Sequence, residues 1–140
     1  MTDSADRWAV DTSVAVAALD AGHLAHGPSL EAVRTHSPML AGHASFEVFS
    51  VLTRMPGALS VDPGDAAALI ERVFPAVAWL SPDAHAGLRR RLATLGIRGG
   101  AVYDALVGEA ARTNGCVLLT RDRRASRTYD LLGVEHEIVG

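Results

Sequence analysis

The short apolar segment Trp8-Ala9-Val10 ends at an aspartate, Asp11, and an alanine-rich helical pattern from Val14 to Ala21 follows at once. In a parallel α/β sheet the ligand crevice lies outside the carboxyl ends of the strands. An acid that closes the first strand and opens the first helix therefore points into that crevice. Asp and Thr also commonly cap helices, so Asp11 or Thr12 has a purely structural interpretation as well.

Strand and helix patterns alternate along the rest of the chain. Predicted strands cover residues 38–41, 77–80, 116–119 and about 134–139, and predicted helices cover 28–35, 44–55, 63–74, a segment opened by Ser81, 101–113 and 123–132. This alternation predicts a parallel sheet with right-handed crossovers. We therefore predict a three-layer α/β fold with a central parallel sheet of about four or five strands, helices on both faces and one domain over residues 1–140.

Three further acids occupy positions comparable to that of Asp11. Asp122 also follows a predicted buried strand and precedes a helix, whereas Glu47 and Asp104 lie in the first turns of apolar helical stripes. The helix dipole also favours acids in first turns, which is the structural alternative for these two residues. If all four acids meet at one edge of the sheet, each like-charge pair at about 4 Å costs about 4 kcal/mol at an effective dielectric near 20.

Such a cluster requires a cation, and oxygen-only ligands select Mg²⁺ or Mn²⁺ over zinc. A metal of this kind orients a phosphate and activates a water molecule, so the pattern predicts metal-assisted phosphodiester hydrolysis.

The distribution of charge is more informative than its sum, a formal net charge of −3. Lysine is absent, and eight of the arginines form two clusters: Arg89, Arg90, Arg91 and Arg98, and Arg121, Arg123, Arg124 and Arg127. Arginine suits bidentate phosphate contacts, although a solvated helix face explains such clusters equally well. Without lysine, the chain cannot be a normal receiver domain or haloacid-dehalogenase-type phosphatase, and it has no Walker A or GxGxxG pattern.

Four short motifs occur in the order and spacing of one family: Val10-Asp11-Thr12-Ser13-Val14, Ala44-Ser-Phe-Glu47-Val48, Tyr103-Asp104-Ala-Leu106 and Leu119-Thr120-Arg-Asp122-Arg-Arg124. Together they resemble the PIN-domain ribonucleases, and more narrowly the VapC toxins of VapBC toxin–antitoxin pairs. The resemblance implies a PIN-like fold, Mg²⁺- or Mn²⁺-dependent endoribonuclease activity, a homodimer and inhibition by a cognate VapB-type antitoxin.

Carried over by position, the resemblance assigns catalysis and metal binding to Asp11, Glu47, Asp104 and Asp122. Asp11 and Asp104 are the expected direct ligands, whereas Glu47 and Asp122 bind metal directly or through water, or help to deprotonate the nucleophile. The remaining assignments are support of the site by Thr12 and Thr120, and RNA binding by Arg98, Arg121, Arg123 and Arg124.

The chain departs from the family in having Ala125 where many relatives carry an aromatic residue. It also lacks an additional acid in that loop, which leaves open whether one metal ion or two bind. An activated water as nucleophile implies 5′-phosphate and 3′-hydroxyl ends. The alternatives are a PIN-like module that binds RNA or a partner without cutting, and a DNA-directed nuclease, whose long clamping insertions this chain lacks.

No apolar run has the roughly 20 residues that cross a bilayer, and the first residues lack an apolar signal core. The single cysteine, Cys116, cannot form an intramolecular disulfide and is expected to be a buried structural thiol. These features predict a cytoplasmic protein without a membrane partner.

Overall fold

In the part of the chain that the structure describes, five short strands lie side by side in one sheet, and every pair of neighbours is parallel. The computed structural model describes residues 7–57 and 60–140. The strand order is β3-β2-β1-β4-β5, with β1 at Trp8–Val10, β2 at Met39–Ala41, β3 at Val77–Ala78, β4 at Val117–Thr120 and β5 at His136–Ile138. The predicted parallel sheet is confirmed, and β3 lies at one edge.

Helices cover both faces of this sheet, because successive residues of a strand point to opposite sides. Val10, Leu40 and Leu119 face one apolar cluster, whereas Ala9, Ala41 and Leu118 face the other. The first cluster includes residues of α1 (Thr12–Leu19), α2 (His26–His36), α3 (Ala44–Arg54) and α4 (Pro63–Val73). The second includes residues of α5 (Pro82–Leu95), α6 (Ala101–Thr113) and α7 (Arg123–Leu132). The three-layer prediction is therefore confirmed.

Most element boundaries agree with the sequence patterns, and the clearest exception is the start of α2. The pattern predicts that Pro28 opens this helix, but α2 begins at His26. The His26 ring nitrogen Nδ1 lies 2.9 Å from the carbonyl oxygen of Ala17, a contact with the end of α1 that local sequence does not reveal. Pro28 is tolerated in the first turn because the amide groups there have no intrahelical partner.

Glu109 is a charged side chain that the fold buries between helices, and the sequence patterns did not single it out. It is 3% exposed in α6 and accepts hydrogen bonds from Arg91 of α5 (2.9 Å) and from Arg112 (2.8 Å). Burial raises the pKa of Glu109, but the two arginines together lower it by more than burial raises it. The pKa of Glu109 is therefore below its ordinary value. Arg91 also donates to the carbonyl of Leu132 in α7 (3.1 Å), so this arginine of the first cluster connects helices and does not belong to a purely solvated helix face.

Cys116 is buried, as expected, although the strand begins one residue later at Val117. Within residues 7–57 and 60–140, no helix combines the length and apolar character needed to cross a membrane.

Gly108 provides a test of the packing between α6 and α7. A methyl group at this position would lie 2.8 Å from Cδ1 of Tyr129 and 3.1 Å from Cγ2 of Val134. We expect Gly108→Ala to lower the free energy of unfolding by about 1–3 kcal/mol, because the core has no room for the methyl group. Urea denaturation measures this change.

Gly87→Ala is the matched control, since Gly87 is also helical but has no atom within 4 Å of an added methyl group. This variant should gain about 0.5–1 kcal/mol from the better helix propensity of alanine. Stabilisation of both variants would show that the α6–α7 contact is loosely packed.

Candidate active site

The four predicted acids meet in one pocket at the carboxyl edge of the sheet. The pocket has a volume of about 250 Å³, and its lining residues are Asp11, Thr12, Ser13, Glu47, Asp104, Val107, Asp122 and Tyr129. A larger cavity of about 650 Å³ adjoins α5 and α6, but none of the predicted site residues lines it. The acid pocket is therefore the candidate site because of its chemistry and not because of its size.

Asp11 is both the N-cap of α1 and the most buried acid of the pocket. The residue is 4% exposed, and its backbone N–H donates to the carbonyl of Leu119 in β4 (3.1 Å). Oδ1 accepts hydrogen bonds from the Ser13 hydroxyl (2.6 Å) and the Val14 amide (3.3 Å), and Oδ2 accepts from the hydroxyls of Thr120 (2.5 Å) and Tyr129 (3.0 Å). Burial raises the pKa of the Asp11 carboxyl, and these four hydrogen bonds oppose part of that rise.

Asp122 repeats this arrangement at the end of the neighbouring strand. Its Oδ1 accepts from the amides of Arg124 (3.0 Å) and Ala125 (3.2 Å), which caps α7. Thr120 connects the two acids, since its hydroxyl donates to Asp11 and accepts from the amide of Asp122 (3.0 Å). This is the geometry expected of a supporting residue.

Glu47 and Asp104 reach the pocket from the first turns of α3 and α6. Glu47 is half-buried, and its Oε1 accepts a hydrogen bond from the Thr12 hydroxyl (2.8 Å), which joins α1 to α3. The pKa of Asp104 rises from 3.8 to about 6 because of burial and of the charges of Asp122, Glu47 and Asp11, in that order, while Arg124 opposes the rise. The folded chain therefore holds the four acids close enough for their charges to repel each other.

The carboxylates face hydrogen-bond donors of their own chain. In the described residues, no group of three or more His, Cys, Asp and Glu side chains is already arranged to hold a metal ion. Asp11 uses both oxygens and Asp122 and Glu47 one each for hydrogen bonds within the protein. A cation that binds Asp11 would therefore have to replace a donor, whereas Asp122 and Glu47 each have a second oxygen that these hydrogen bonds do not use.

Comparisons with known proteins identify the family of the chain. The PIN domain family model matches residues 9–131. The chain belongs to this family. Ribonuclease VapC27 of Mycobacterium tuberculosis is 46% identical over 131 residues, which is 94% of this chain and 95% of the relative. Ribonuclease VapC40 of the same species is 41% identical over 133 residues, or 94% of this chain and 98% of the relative. The chain is thus a PIN-domain ribonuclease of the VapC group, which confirms the resemblance.

The predicted RNA-binding arginines of this VapC-group chain differ in exposure. Arg123 and Arg124 are exposed on the first turn of α7, and Nε of Arg124 lies 3.9 Å from Oδ1 of Asp122. Arg98 is exposed in the loop before α6. Arg121 is half-buried, and its backbone N–H donates to the Ser13 hydroxyl (2.8 Å). Arg124 therefore lies beside an acid of the pocket, and Arg98 and Arg123 are also exposed.

The sequence patterns missed two polar residues of the pocket, Ser13 and Tyr129. Tyr129 comes seven residues after Asp122, or about two helical turns, so both lie on one side of α7. The same side carries the buried residues Ala125 and Leu132, and this periodicity could have placed Tyr129 beside the acids. Ser13 comes two residues after Asp11, but its bond to Arg121 joins residues 108 positions apart and has no local signal.

The raised pKa of Asp104 predicts how stability depends on pH. The folded chain holds this proton more tightly than the unfolded chain, so stability falls as the pH rises from 3.8 to about 6 and stays lowered above that window. Asp104→Asn removes the charge. In EDTA at pH 8, we expect its free energy of unfolding to exceed that of the wild type by about 1 kcal/mol, after allowance for solvent screening of a half-exposed group. At pH 4 the gain should disappear.

Asp65→Asn is the control, because Asp65 is also in the first turn of a helix, α4, but is exposed and outside the pocket. Loss of its interaction with the helix dipole should destabilise the protein by about 0.3–1 kcal/mol. Urea denaturation at both pH values compares the variants. A gain at pH 4 equal to that at pH 8 would contradict the electrostatic explanation.

Proposed function

We propose that this VapC-group ribonuclease cuts RNA internally in a reaction that depends on Mg²⁺ or Mn²⁺. The observation that carries the proposal is the convergence of Asp11, Glu47, Asp104 and Asp122 in one pocket at the carboxyl edge of the sheet. Carboxylates that repel each other in a half-buried pocket are stabilised by a bound divalent cation. The names of the relatives, both ribonucleases, support RNA as the substrate.

The donor set of the pocket suits these two metals, because it supplies carboxylate and hydroxyl oxygens and neither histidine nor cysteine. Asp11 and Asp104 would hold the metal directly, and Glu47 and Asp122 would hold it directly or through water. When bound, the cation supplies a Lewis acid that orients the scissile phosphate and lowers the pKa of the attacking water.

The chain's own groups complete the reaction. Glu47 and Asp122 border the pocket, and this position supports either carboxylate as the group that would accept a proton from the attacking water. Arg123 and Arg124, with Arg98 and Arg121, would neutralise phosphates on either side of the scissile bond. Because water and not the ribose 2′-hydroxyl attacks, the products would carry 5′-phosphate and 3′-hydroxyl ends.

The partners are also proposals. The relatives carry the VapC name, which supports inhibition by a cognate VapB-type antitoxin. We further propose a homodimer in the cytoplasm, where the RNA substrate resides and a lone cysteine stays reduced. Light scattering of the purified protein tests the dimer, and loss of cleavage on adding the cognate antitoxin tests the inhibition.

The first test of function is cleavage of total cellular RNA by the antitoxin-free protein in Mg²⁺, Mn²⁺ or EDTA. We expect discrete cuts with either metal and none in EDTA. Asp11→Asn and Asp104→Asn should each lower the rate about 100-fold or more, because each removes a charge that the metal needs. Asp62→Asn is the matched control, since Asp62 is an exposed N-cap of α4 and Asn caps a helix equally well.

Metal-independent cuts, or equal cleavage by Asp11→Asn, would contradict the proposal. Folded wild-type protein that binds RNA but never cuts it would instead support the non-cleaving PIN-like module. Mapping of the 5′ ends tests the water mechanism, because a 2′-hydroxyl attack would leave 5′-hydroxyl ends.

The arginines of α7 are tested through the salt dependence of RNA binding. Arg123→Gln and Arg124→Gln should each weaken binding of RNA to the EDTA-treated protein. Each should also reduce the slope of log affinity against log salt by about 0.7–0.9 per lost phosphate contact. Arg34→Gln is the control, because Arg34 is exposed in the last turn of α2, which leads to the amino end of β2 and away from the pocket. Equal slopes for all three variants would exclude this role.

A further inference from the structure

The carboxylate of Asp11 has no free acceptor position in this structure. An ionised carboxylate offers about four lone-pair sites. Ser13 and Val14 donate to Oδ1, and Thr120 and Tyr129 donate to Oδ2. A cation that binds Asp11 must therefore replace one of these donors.

The donors on the two oxygens differ in how firmly the fold holds them. Thr120 and Tyr129, on Oδ2, are 0% and 1% exposed. Ser13, which donates to Oδ1, is half-buried and lines the pocket. Its hydroxyl oxygen also accepts a hydrogen bond from the backbone N–H of Arg121, and this bond can remain when the hydroxyl proton turns away from Asp11. The Ser13 hydroxyl is thus the donor that is most easily exchanged.

The ring of Tyr129 is fixed from two sides. Gly108 of α6 leaves the space that the ring fills, since a Cβ there would lie 2.8 Å from Cδ1. His136 of β5 packs edge-on against the ring at a centroid distance of 5.5 Å. A phenylalanine would fill the same space, so packing alone does not explain the buried hydroxyl, which is costly unless it is hydrogen-bonded. Its bond to Asp11 provides that explanation.

We propose that Tyr129 is a positioning residue, which together with Thr120 anchors Oδ2 of Asp11 so that Oδ1 is the oxygen presented to the cation in place of the Ser13 hydroxyl. This inference rests on the proposed metal-dependent function. Hydrogen-bond partners that orient a metal ligand commonly change metal affinity 10–100-fold when they are removed. Tyr129 acts through Asp11, because its hydroxyl donates to Oδ2 of that residue.

The test measures Mn²⁺ binding to the full chain by calorimetry, without RNA. Tyr129→Phe keeps the ring and removes the hydroxyl, and we expect it to weaken Mn²⁺ binding about 10–100-fold. Tyr103→Phe is the matched control, because Tyr103 is the other tyrosine of the chain, is 53% exposed and stacks on His43 at 5.6 Å. Its Mn²⁺ affinity should equal that of the wild type.

A second pair of variants guards against a folding defect in Tyr129→Phe. Thr120→Val removes the other donor to Oδ2 and should also weaken Mn²⁺ binding. Thr120→Ser keeps the hydroxyl, so its Mn²⁺ affinity should be close to that of the wild type. In cleavage assays with saturating Mn²⁺, Tyr129→Phe should recover most of its kcat, because the metal requirement is met by mass action.

The outcomes separate this inference from the proposed function. If the wild type binds Mn²⁺ and Tyr129→Phe binds it with the same affinity, the positioning role is overturned and the proposed function is not. This holds even if the variant is less stable. Absence of Mn²⁺ binding by the folded wild type overturns both proposals.

Discussion

The buried carboxylate of Asp11 is the interaction on which the rest of the site depends. A charge that is 4% exposed is unfavourable unless donors surround it. Those donors come from α1, β4 and α7, so the first strand of the chain, the strand beside it and a helix more than 100 residues away must all be in place. The polar network of the pocket is therefore formed by the complete fold and not by any local segment, which ties the integrity of the site to that of the sheet.

The acids also stabilise the helices that carry them. Each acid can therefore have a structural role at a helix end and a functional role in the pocket. Asp11 and Asp122 cap α1 and α7, and Glu47 and Asp104 lie in first turns, where the helix dipole favours negative charge. Capping and convergence are thus compatible, because a parallel sheet directs the starts of the following helices to one edge. The helix ends offset part of the repulsion that gathering four carboxylates produces, and burial together with the charges of the other acids still raises the pKa of Asp104.

Features that depend on local order could be predicted from the sequence. A strand pattern, an acid and a helix pattern occur at Asp11 and again at Asp122, and parallel pairing then brings both acids to the same edge. The start of α2, the hydroxyl of Tyr129 and the pairing of Arg91 with Glu109 were not predictable in this way, because each depends on a partner in another element. Side-chain partners across such distances are set by the packing of the layers, and periodicity shows only which face a residue occupies.

Helix α6 carries, within two turns, an acid that is paired with arginines, Glu109, and an acid that lies among other acids, Asp104. Glu109 is more buried than Asp104, yet its pKa is lowered, because Arg91 and Arg112 each donate hydrogen bonds to its carboxylate. Burial and, after it, the charges of three other acids raise the pKa of Asp104 to about 6. Burial alone therefore does not identify a functional carboxylate in this fold. Glu109 is neutralised by Arg91 and Arg112, and the bonds of Arg91 connect α5 to α6 and α7. The negative charge around Asp104 is only weakly opposed by Arg124, and it is this charge that a divalent cation would stabilise.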